Sequence, residues 1–129
     1  MIIKQVSVFL ENSEGRLLSA LRVLKNTGVD IRSLALADTN DYGMLRLIVD
    51  KPEESVKALK DAGLSAHITE VVSLEVDDRV GALADALAGI TEKGLNIEYM
   101  YDCENDSEDR KACMIIKISD LAKHKELFE

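Results

Sequence analysis

Hydrophobic and polar positions follow a strand pattern and then a helix pattern near the start of the chain. Val6, Val8 and Leu10 alternate with other side chains, which predicts a strand with one buried face. The apolar positions that follow are spaced by four and three residues, as on one face of a helix: Leu17, Leu21 and Leu24. Gly28 comes just after them, where a left-handed residue commonly ends a helix.

The same pattern returns after a shift of 66 positions. Gly15 then falls on Gly81 (81 − 15 = 66), and Gly28 falls on Gly94. The matching strand and helix positions are Val72, Leu74, Val76, Leu83, Leu87 and Ile90. An in-phase match of this length indicates a repeated folding unit. We therefore predict two units, residues 1–70 and 71–129, without a flexible linker between them.

Each repeat continues with further elements of its own. Second strands are predicted from about Ile31 and Ile97, and third strands follow after polar turns. Pro52 suits the first position of a second helix. In the second repeat Asp120 is expected to cap a helix that carries Leu121, Leu127 and Phe128. The order strand, helix, strand, strand, helix, strand predicts an α+β fold of ferredoxin-like type, with antiparallel sheets and helices on one face.

The second repeat lacks a final strand of its own in this sequence. Residues 66–70 can supply that strand for the first repeat, whereas the second repeat ends within its last predicted helix. An uncovered sheet edge invites aggregation. We therefore expect an exchange of edge strands, in which residues 2–5 complete the sheet of the second repeat.

The net charge of the chain limits the classes of partner that it is expected to bind. Acidic residues outnumber basic ones 24 to 16 over 129 residues, which gives a net charge of −8. Such a field repels phosphate backbones, so we expect neither nucleic-acid nor membrane partners. The opening residues read as a strand and not as a signal peptide, and no apolar run reaches the ~18 residues of a membrane span. The expected location is the cytoplasm.

Few residues offer reactive chemistry. Cys103 and Cys113 are expected to be thiols in a reducing cytosol, although a bridge across the intervening turn is geometrically feasible. His67 and His124 do not accompany a nucleophile motif. The sequence also lacks a phosphate loop, a zinc pattern and a dinucleotide fingerprint. We therefore predict a protein without catalytic activity, cofactor or metal.

The two strand-to-helix turns have a composition suited to an α-amino acid. Amides at the start of a helix point outwards at the positive end of the dipole and suit a carboxylate. The candidate donors are the backbone amides of Ser13, Glu14, Gly15, Arg79, Val80 and Gly81. Side-chain oxygens of Asn12 and Asp78 can accept an ammonium group, and Asp30 or Asn96 of one unit can reach the turn of another. The alternative is that the polar residues of these turns only cap the helices.

These residues resemble the ACT domain, a small amino-acid-sensing module of metabolic regulation. The resemblance rests on "DDRVGAL" and "EKGLNIEYMY", in which Asp78, Gly81, Leu83, Gly94, Asn96 and Ile97 match the family pattern. The first repeat matches at Asn12, Gly15, Leu17, Gly28 and Ile31, with Asp30 in place of the usual asparagine. Glu14 and Val80 stand where the family usually has proline.

The resemblance implies a tandem ACT protein of regulatory function. ACT domains commonly pair and bind effectors at the interface between them. The resemblance therefore implies a non-catalytic sensor that binds a small amino acid between ACT units. Its expected partners are a separate metabolic enzyme and a second copy of the chain in a homodimer. The alternative is a protein-interaction module without its own ligand, similar to the regulatory subunit of acetolactate synthase.

Overall fold

The described residues form six strands, three α-helices and two short 3-10 turns in the computed structural model of the chain. They are residues 1–11, 13–38, 41–103 and 111–129. The elements in chain order are β1 (Ile2–Glu11), α1 (Arg16–Thr27), β2 (Ile31–Asp38), β3 (Tyr42–Val49), α2 (Pro52–Asp61), β4 (Ser65–Asp77), α3 (Ala82–Glu92), β5 (Ile97–Cys103) and β6 (Lys111–Ile118). Two compact units result: the first unit is Lys4–Thr69, and the second unit is Met1–Ile3 together with Glu70–Glu129.

The first unit places its strands in the order β2, β3, β1, β4, and β3 runs antiparallel to both of its neighbours. Val6 lies opposite Leu47 and Val8 lies opposite Leu45, and all four side chains are fully buried. The helices α1 and α2 contribute further side chains to this core, among them Ala20, Leu24 and Leu59. Burial of each large apolar side chain contributes roughly 1.5–3 kcal/mol. The apolar positions of the alternating sequence pattern therefore lie on the sheet face that packs against the helices.

The second unit repeats this arrangement in the order β1, β4, β6, β5. Val72 lies opposite Ile116 in the antiparallel pairing of β4 with β6, and both are fully buried. Ile90 of α3 and Leu121 join the same core. The α+β fold with two βαββαβ-like repeats, predicted from the sequence, is thus confirmed.

The amino terminus of the chain supplies an outer strand to the second unit. The Met1 amino group donates to the Ser73 carbonyl oxygen at 3.1 Å, and the Ser73 N–H donates to the Met1 carbonyl oxygen at 2.8 Å. Reciprocal bonds between two residues are typical of antiparallel strands. Residues 1–3 therefore occupy the sheet position next to β4 in this unit. The assignment of residues 1–70 and 71–129 to two ACT units stays a prediction. The compact units differ from it in that residues 1–3 belong to the second unit.

A matching irregularity marks both second strands. The register shifts between Ile31 and Ser33 in β2, and between Ile97 and Tyr99 in β5. These positions differ by the same 66 residues as the glycines (97 − 31 = 66). An extra residue in one strand bends it locally and is a reproducible feature of a fold. The repeat thus extends from the hydrophobic pattern to details of strand pairing.

The structure contradicts the last predicted helix. Residues Leu121–Lys123 and Lys125–Leu127 form two 3-10 turns, and not an α-helix. Asp120 has a left-handed conformation (φ 57°) and makes no side-chain capping bond. The capping bond expected from its carboxylate to an amide of the first turn is therefore absent. The segment is also short, and short helices gain too little from propagation to offset nucleation. Only Leu121 is buried, and it holds the segment against the second core.

Candidate functional site

Both strand-to-helix turns pass through a glycine in the left-handed conformation. Gly15 precedes α1 with φ 82°, and Gly81 precedes α3 with φ 84°. A side chain at such a position is strained, so glycine is the residue that permits this turn. A Cβ atom added at either glycine would meet no other atom within 4 Å. The space above both turns is therefore open to another molecule.

The backbone hydrogen bonds of the two turns also correspond. The Ser13 N–H donates to the Glu11 carbonyl at 2.9 Å, and the Arg79 N–H donates to the Asp77 carbonyl at 3.0 Å. Two of the six candidate amide donors are thus already engaged within the turns. The structure gives no such turn bond for the amides of residues 14, 15, 80 and 81 among the described residues. Those later amides, closer to the helix, are the better candidates for a bound carboxylate.

Within the described part of the chain, the helices α1 and α3 begin without a side-chain cap. Gly15 and Gly81 are themselves the N-cap residues, and no described side chain makes a capping bond to α1 or α3. Ser13 and Asp78 are therefore not side-chain caps in this structure. Asn12, which was predicted to accept an ammonium group, lies outside the described residues.

A cleft of about 110 Å³ adjoins the turn of the first unit. This first cleft is lined by Leu10, Glu11, Ser13, Arg16, Leu17, Leu36 and Gly43. An Arg16 nitrogen lies 3.2 Å from a Glu11 carboxylate oxygen across it. The cleft thus combines apolar side chains with one ion pair at the helix start.

A second cleft of about 170 Å³ adjoins the turn of the second unit. It is lined by Val76, Asp77, Asp78, Arg79, Leu83, Ala112 and Met114. Arg79 lies 3.4 Å from Asp85 and 3.9 Å from Asp77, and more than half of its side chain is exposed. Asp78 makes no hydrogen bond or ion pair within the described part of the chain. Its carboxylate is therefore available to a bound cation.

The two clefts are built from equivalent positions of the repeat. A shift of 66 carries Leu10 to Val76, Glu11 to Asp77 and Leu17 to Leu83. A shift of 69, which allows for the longer second hairpin, carries Gly43 to Ala112 (112 − 43 = 69). Open space thus adjoins both left-handed glycines at equivalent positions of the repeat.

Asp30 and Asn96 do not reach the turn of their own unit. Asp30 precedes β2, whose first residue pairs with Val49, whereas the turn follows Glu11, which pairs with Tyr42. These ends of β3 are about 24 Å apart at the rise of a strand. One small ligand cannot span that distance.

Both of these side chains have partners where they are. An Asp30 carboxylate oxygen lies 2.8 Å from Arg32, and the Asn96 side-chain amide donates to the Ser119 hydroxyl at 3.1 Å. The Ser119 N–H also donates to the Asn96 carbonyl. These bonds fix the start of a strand, so a role in binding requires contact with another ACT unit.

Arg16 is a cleft residue that the sequence reasoning missed. It occupies the first position of α1, at the positive end of the helix dipole, where a basic side chain is unfavourable unless an anion is near. The nearby Glu11 supplies that anion. The unusual placement of a cation at a helix start was the signal available in the sequence.

Val80 is fully exposed at 101%, which is unusual for an apolar side chain.

The described residues give no sign of a metal centre or a membrane span. They contain no group of three or more histidine, cysteine or carboxylate side chains placed to hold a metal ion. No helix among them has the length and apolar character needed to cross a membrane.

Comparison with known proteins identifies relatives of the whole chain. A family model described as "ACT domain pair" matches residues 1–127. The crystal structure of protein BT0572 from Bacteroides thetaiotaomicron is 38% identical, with a TM-score of 0.88 over 98% of this chain and 86% of that one. A search of curated protein sequences found no significant match.

Two more distant structures share the fold. The regulatory subunit of aspartate kinase from Thermus thermophilus, in its ligand-free form, has a TM-score of 0.65 at 16% identity and covers 100% of this chain and 96% of that one. The corresponding subunit from Thermus flavus has a TM-score of 0.66 at 16% identity, and the match covers 98% of this chain and 89% of that one. At this identity the likeness concerns the fold alone.

Proposed function

Because the chain belongs to the family of ACT domain pairs, as the sequence resemblance predicted, we propose that it is a non-catalytic regulatory protein that binds a small amino acid. The observation that carries this proposal is the pair of equivalent clefts beside Gly15 and Gly81. Each cleft adjoins a helix start, an acidic strand end and an arginine. The second cleft is the preferred site, since the described residues there include Asp78.

The lining of the second cleft favours an amino acid with an apolar side chain. Its α-carboxylate would accept bonds from the Val80 and Gly81 amides and face Arg79, at the positive end of α3. Its ammonium group would face the Asp78 carboxylate. Its side chain would lie against the apolar wall of the cleft, formed by Val76, Leu83, Ala112 and Met114.

The size of each cleft supports completion by another ACT unit. Pockets for small ligands usually enclose about 300–1,000 Å³ and bury most of the ligand. The clefts of 110 and 170 Å³ are smaller than that. We therefore propose that the chain forms a homodimer in which the second copy supplies the missing wall, with its Asp30 or Asn96 near the turn.

Ligand binding would regulate a separate enzyme through a change in population. A ligand that prefers one arrangement of the ACT units shifts the equilibrium towards it by its difference in affinity. The distant structural neighbours named as regulatory subunits of aspartate kinase support a metabolic enzyme as the partner. We propose that this regulation takes place in the cytoplasm.

The alternative function is a protein-interaction module without a small ligand. The fully exposed Val80 favours it, because an apolar side chain at the tip of a turn gains free energy when a protein partner covers it. In that case Val80→Ser would weaken the complex with the partner, and no amino acid would stabilise the protein.

A thermal-shift screen against the twenty amino acids tests the proposal. A ligand at 100 times its Kd adds about 2.7 kcal/mol to the free energy of unfolding. Asp78→Asn and Arg79→Gln should abolish the shift, whereas the surface variants Asp61→Asn and Arg22→Gln serve as matched controls. A flat response to every amino acid would refute the proposal, and a shift that survives Asp78→Asn and Arg79→Gln would exclude the second cleft.

A further inference from the structure

The two cysteines of the chain lie directly opposite each other. Cys103, the last residue of β5, pairs with Cys113 of β6 in the antiparallel register. Directly opposed residues have Cα atoms about 4.5 or 5.5 Å apart, depending on the type of pair. Both values lie within the range of about 4.4–6.8 Å found for disulfides. Opposed side chains also share one face of the sheet, so the backbone already has the spacing that a bridge requires.

The two thiols differ in their exposure. Neither cysteine is in a disulfide in this structure; Cys113 is buried at 9% exposure, whereas Cys103 is half-buried. The Ser73 hydroxyl lies 3.6 Å from the Cys113 sulfur. An oxidant from solution therefore meets Cys103 first, and Cys113 is held on the neighbouring strand.

We propose that Cys103 and Cys113 are a modification site, a reversible cross-strand disulfide that links β5 and β6 at the end of the hairpin where residues 104–110 connect the two strands. The oxidant is a small disulfide such as glutathione disulfide. The Cys103 thiolate attacks one glutathione sulfur, the glutathione S–S bond breaks, and a glutathione thiolate leaves. The Cys113 thiolate then attacks the Cys103 sulfur and releases the second glutathione thiolate. Two electrons pass to the oxidant, and the two thiol protons go to the two glutathione products.

The disulfide would form next to two residues that line the second cleft. Ala112 and Met114, its neighbours in β6, both line the second cleft. Alternate residues of a strand face opposite sides, so the bridge would form on the face away from the cleft. The disulfide would therefore hold the β6 backbone beside the cleft without filling the cleft.

Peptide mass mapping under non-reducing conditions tests the site directly. The reduced protein is incubated with mixtures of reduced glutathione and glutathione disulfide, the remaining thiols are alkylated, and trypsin is added. Arg110 and Lys111 separate the two cysteines in the sequence, so the tryptic peptides stay joined only if the bridge exists. We expect linked peptides at every protein concentration and their separation by dithiothreitol. Oxidation should also raise the Tm by roughly 5 °C, since the link restricts the unfolded chain.

Two serine variants provide the controls. Cys113→Ser should stop at a mixed disulfide between Cys103 and glutathione, whereas Cys103→Ser should react more slowly because its remaining thiol is buried. Amide exchange at Ala112 and Met114 should slow on oxidation of the natural sequence and stay unchanged in both variants. Mixed disulfides without linked peptides, or links only between two chains, would overturn the proposal. These readouts need no amino-acid ligand, so they are independent of the proposed sensing function.

Discussion

Two glycines of the second repeat should respond in opposite directions to the same substitution. Gly81 has a left-handed backbone (φ 84°) at the start of α3, whereas Gly89 lies within that helix and is exposed. A Cβ atom at either position meets no atom within 4 Å. Overlap with the rest of the fold therefore contributes to neither substitution, and the difference between them arises from the local backbone conformation.

The backbone conformation at each glycine sets the expected change in the free energy of unfolding. An alanine in the left-handed region costs about 1–2 kcal/mol. The smaller entropy of the unfolded chain offsets about 0.4–1 kcal/mol of this cost, so Gly81→Ala should lower the free energy of unfolding by roughly 1 kcal/mol. Gly89→Ala should raise it by about 0.8–1.0 kcal/mol, which is the helix propensity gained. The two variants should thus differ by about 2 kcal/mol.

Equilibrium unfolding in urea, followed by circular dichroism, measures both values. The slope of the free energy against urea should be the same in both variants, because the surface exposed on unfolding does not change. A neutral or stabilising Gly81→Ala would refute the left-handed turn, and a destabilising Gly89→Ala would refute the helical assignment of that position. If the second cleft binds an amino acid, Gly81→Ala should also weaken that binding, since the new methyl group enters the open space above the turn.

Three further perturbations test other parts of the fold. Leu24→Ala should lower the free energy of unfolding by roughly 2–5 kcal/mol in urea titrations, because the side chain is fully buried. A hydrogen bond from Lys4 holds the pKa of the Glu53 carboxyl below its ordinary value. This interaction stabilises the fold above the unfolded pKa and is lost as the pH falls through the folded pKa, so Glu53→Gln should flatten the loss of stability in acid titrations below about pH 4.5. Deletion of Met1–Ile3 should accelerate amide exchange at Ser73; unchanged exchange there would contradict the shared strand.

Local patterns in the sequence were sufficient to predict the repeated elements. Alternation around Val6 and Val72 reflects the two faces of a strand, and the left-handed turns at Gly28 and Gly94 reflect a requirement of helix ends. Such signals depend on residues close together in the chain. The order of the strands and of the first three helices was therefore predictable without knowledge of any long-range contact, whereas the last predicted helix was wrong.

The details of the site depend on contacts that no local pattern contains. The sequence predicted that the Ser13 and Arg79 amides donate to a ligand, but both donate backbone hydrogen bonds within their turns. The sequence also predicted a role for Asn96 in ligand binding, but that side chain donates a hydrogen bond to Ser119 across the end of a hairpin. Met114 lines the second cleft from a strand far along the chain. These relationships arise from tertiary pairing, so they became visible only in the folded chain.

The pairing of Met1 with Ser73 has a consequence for folding during synthesis. The two residues are separated by 72 positions, so the ribosome makes one strand partner long before the other. The free energy cost of closing a loop rises with the logarithm of its length, and such non-local pairing slows folding. Residues 1–3 must therefore stay available until the second repeat emerges, and a nascent chain that ends before Ser73 exposes an unfinished sheet edge to its neighbours on the polysome.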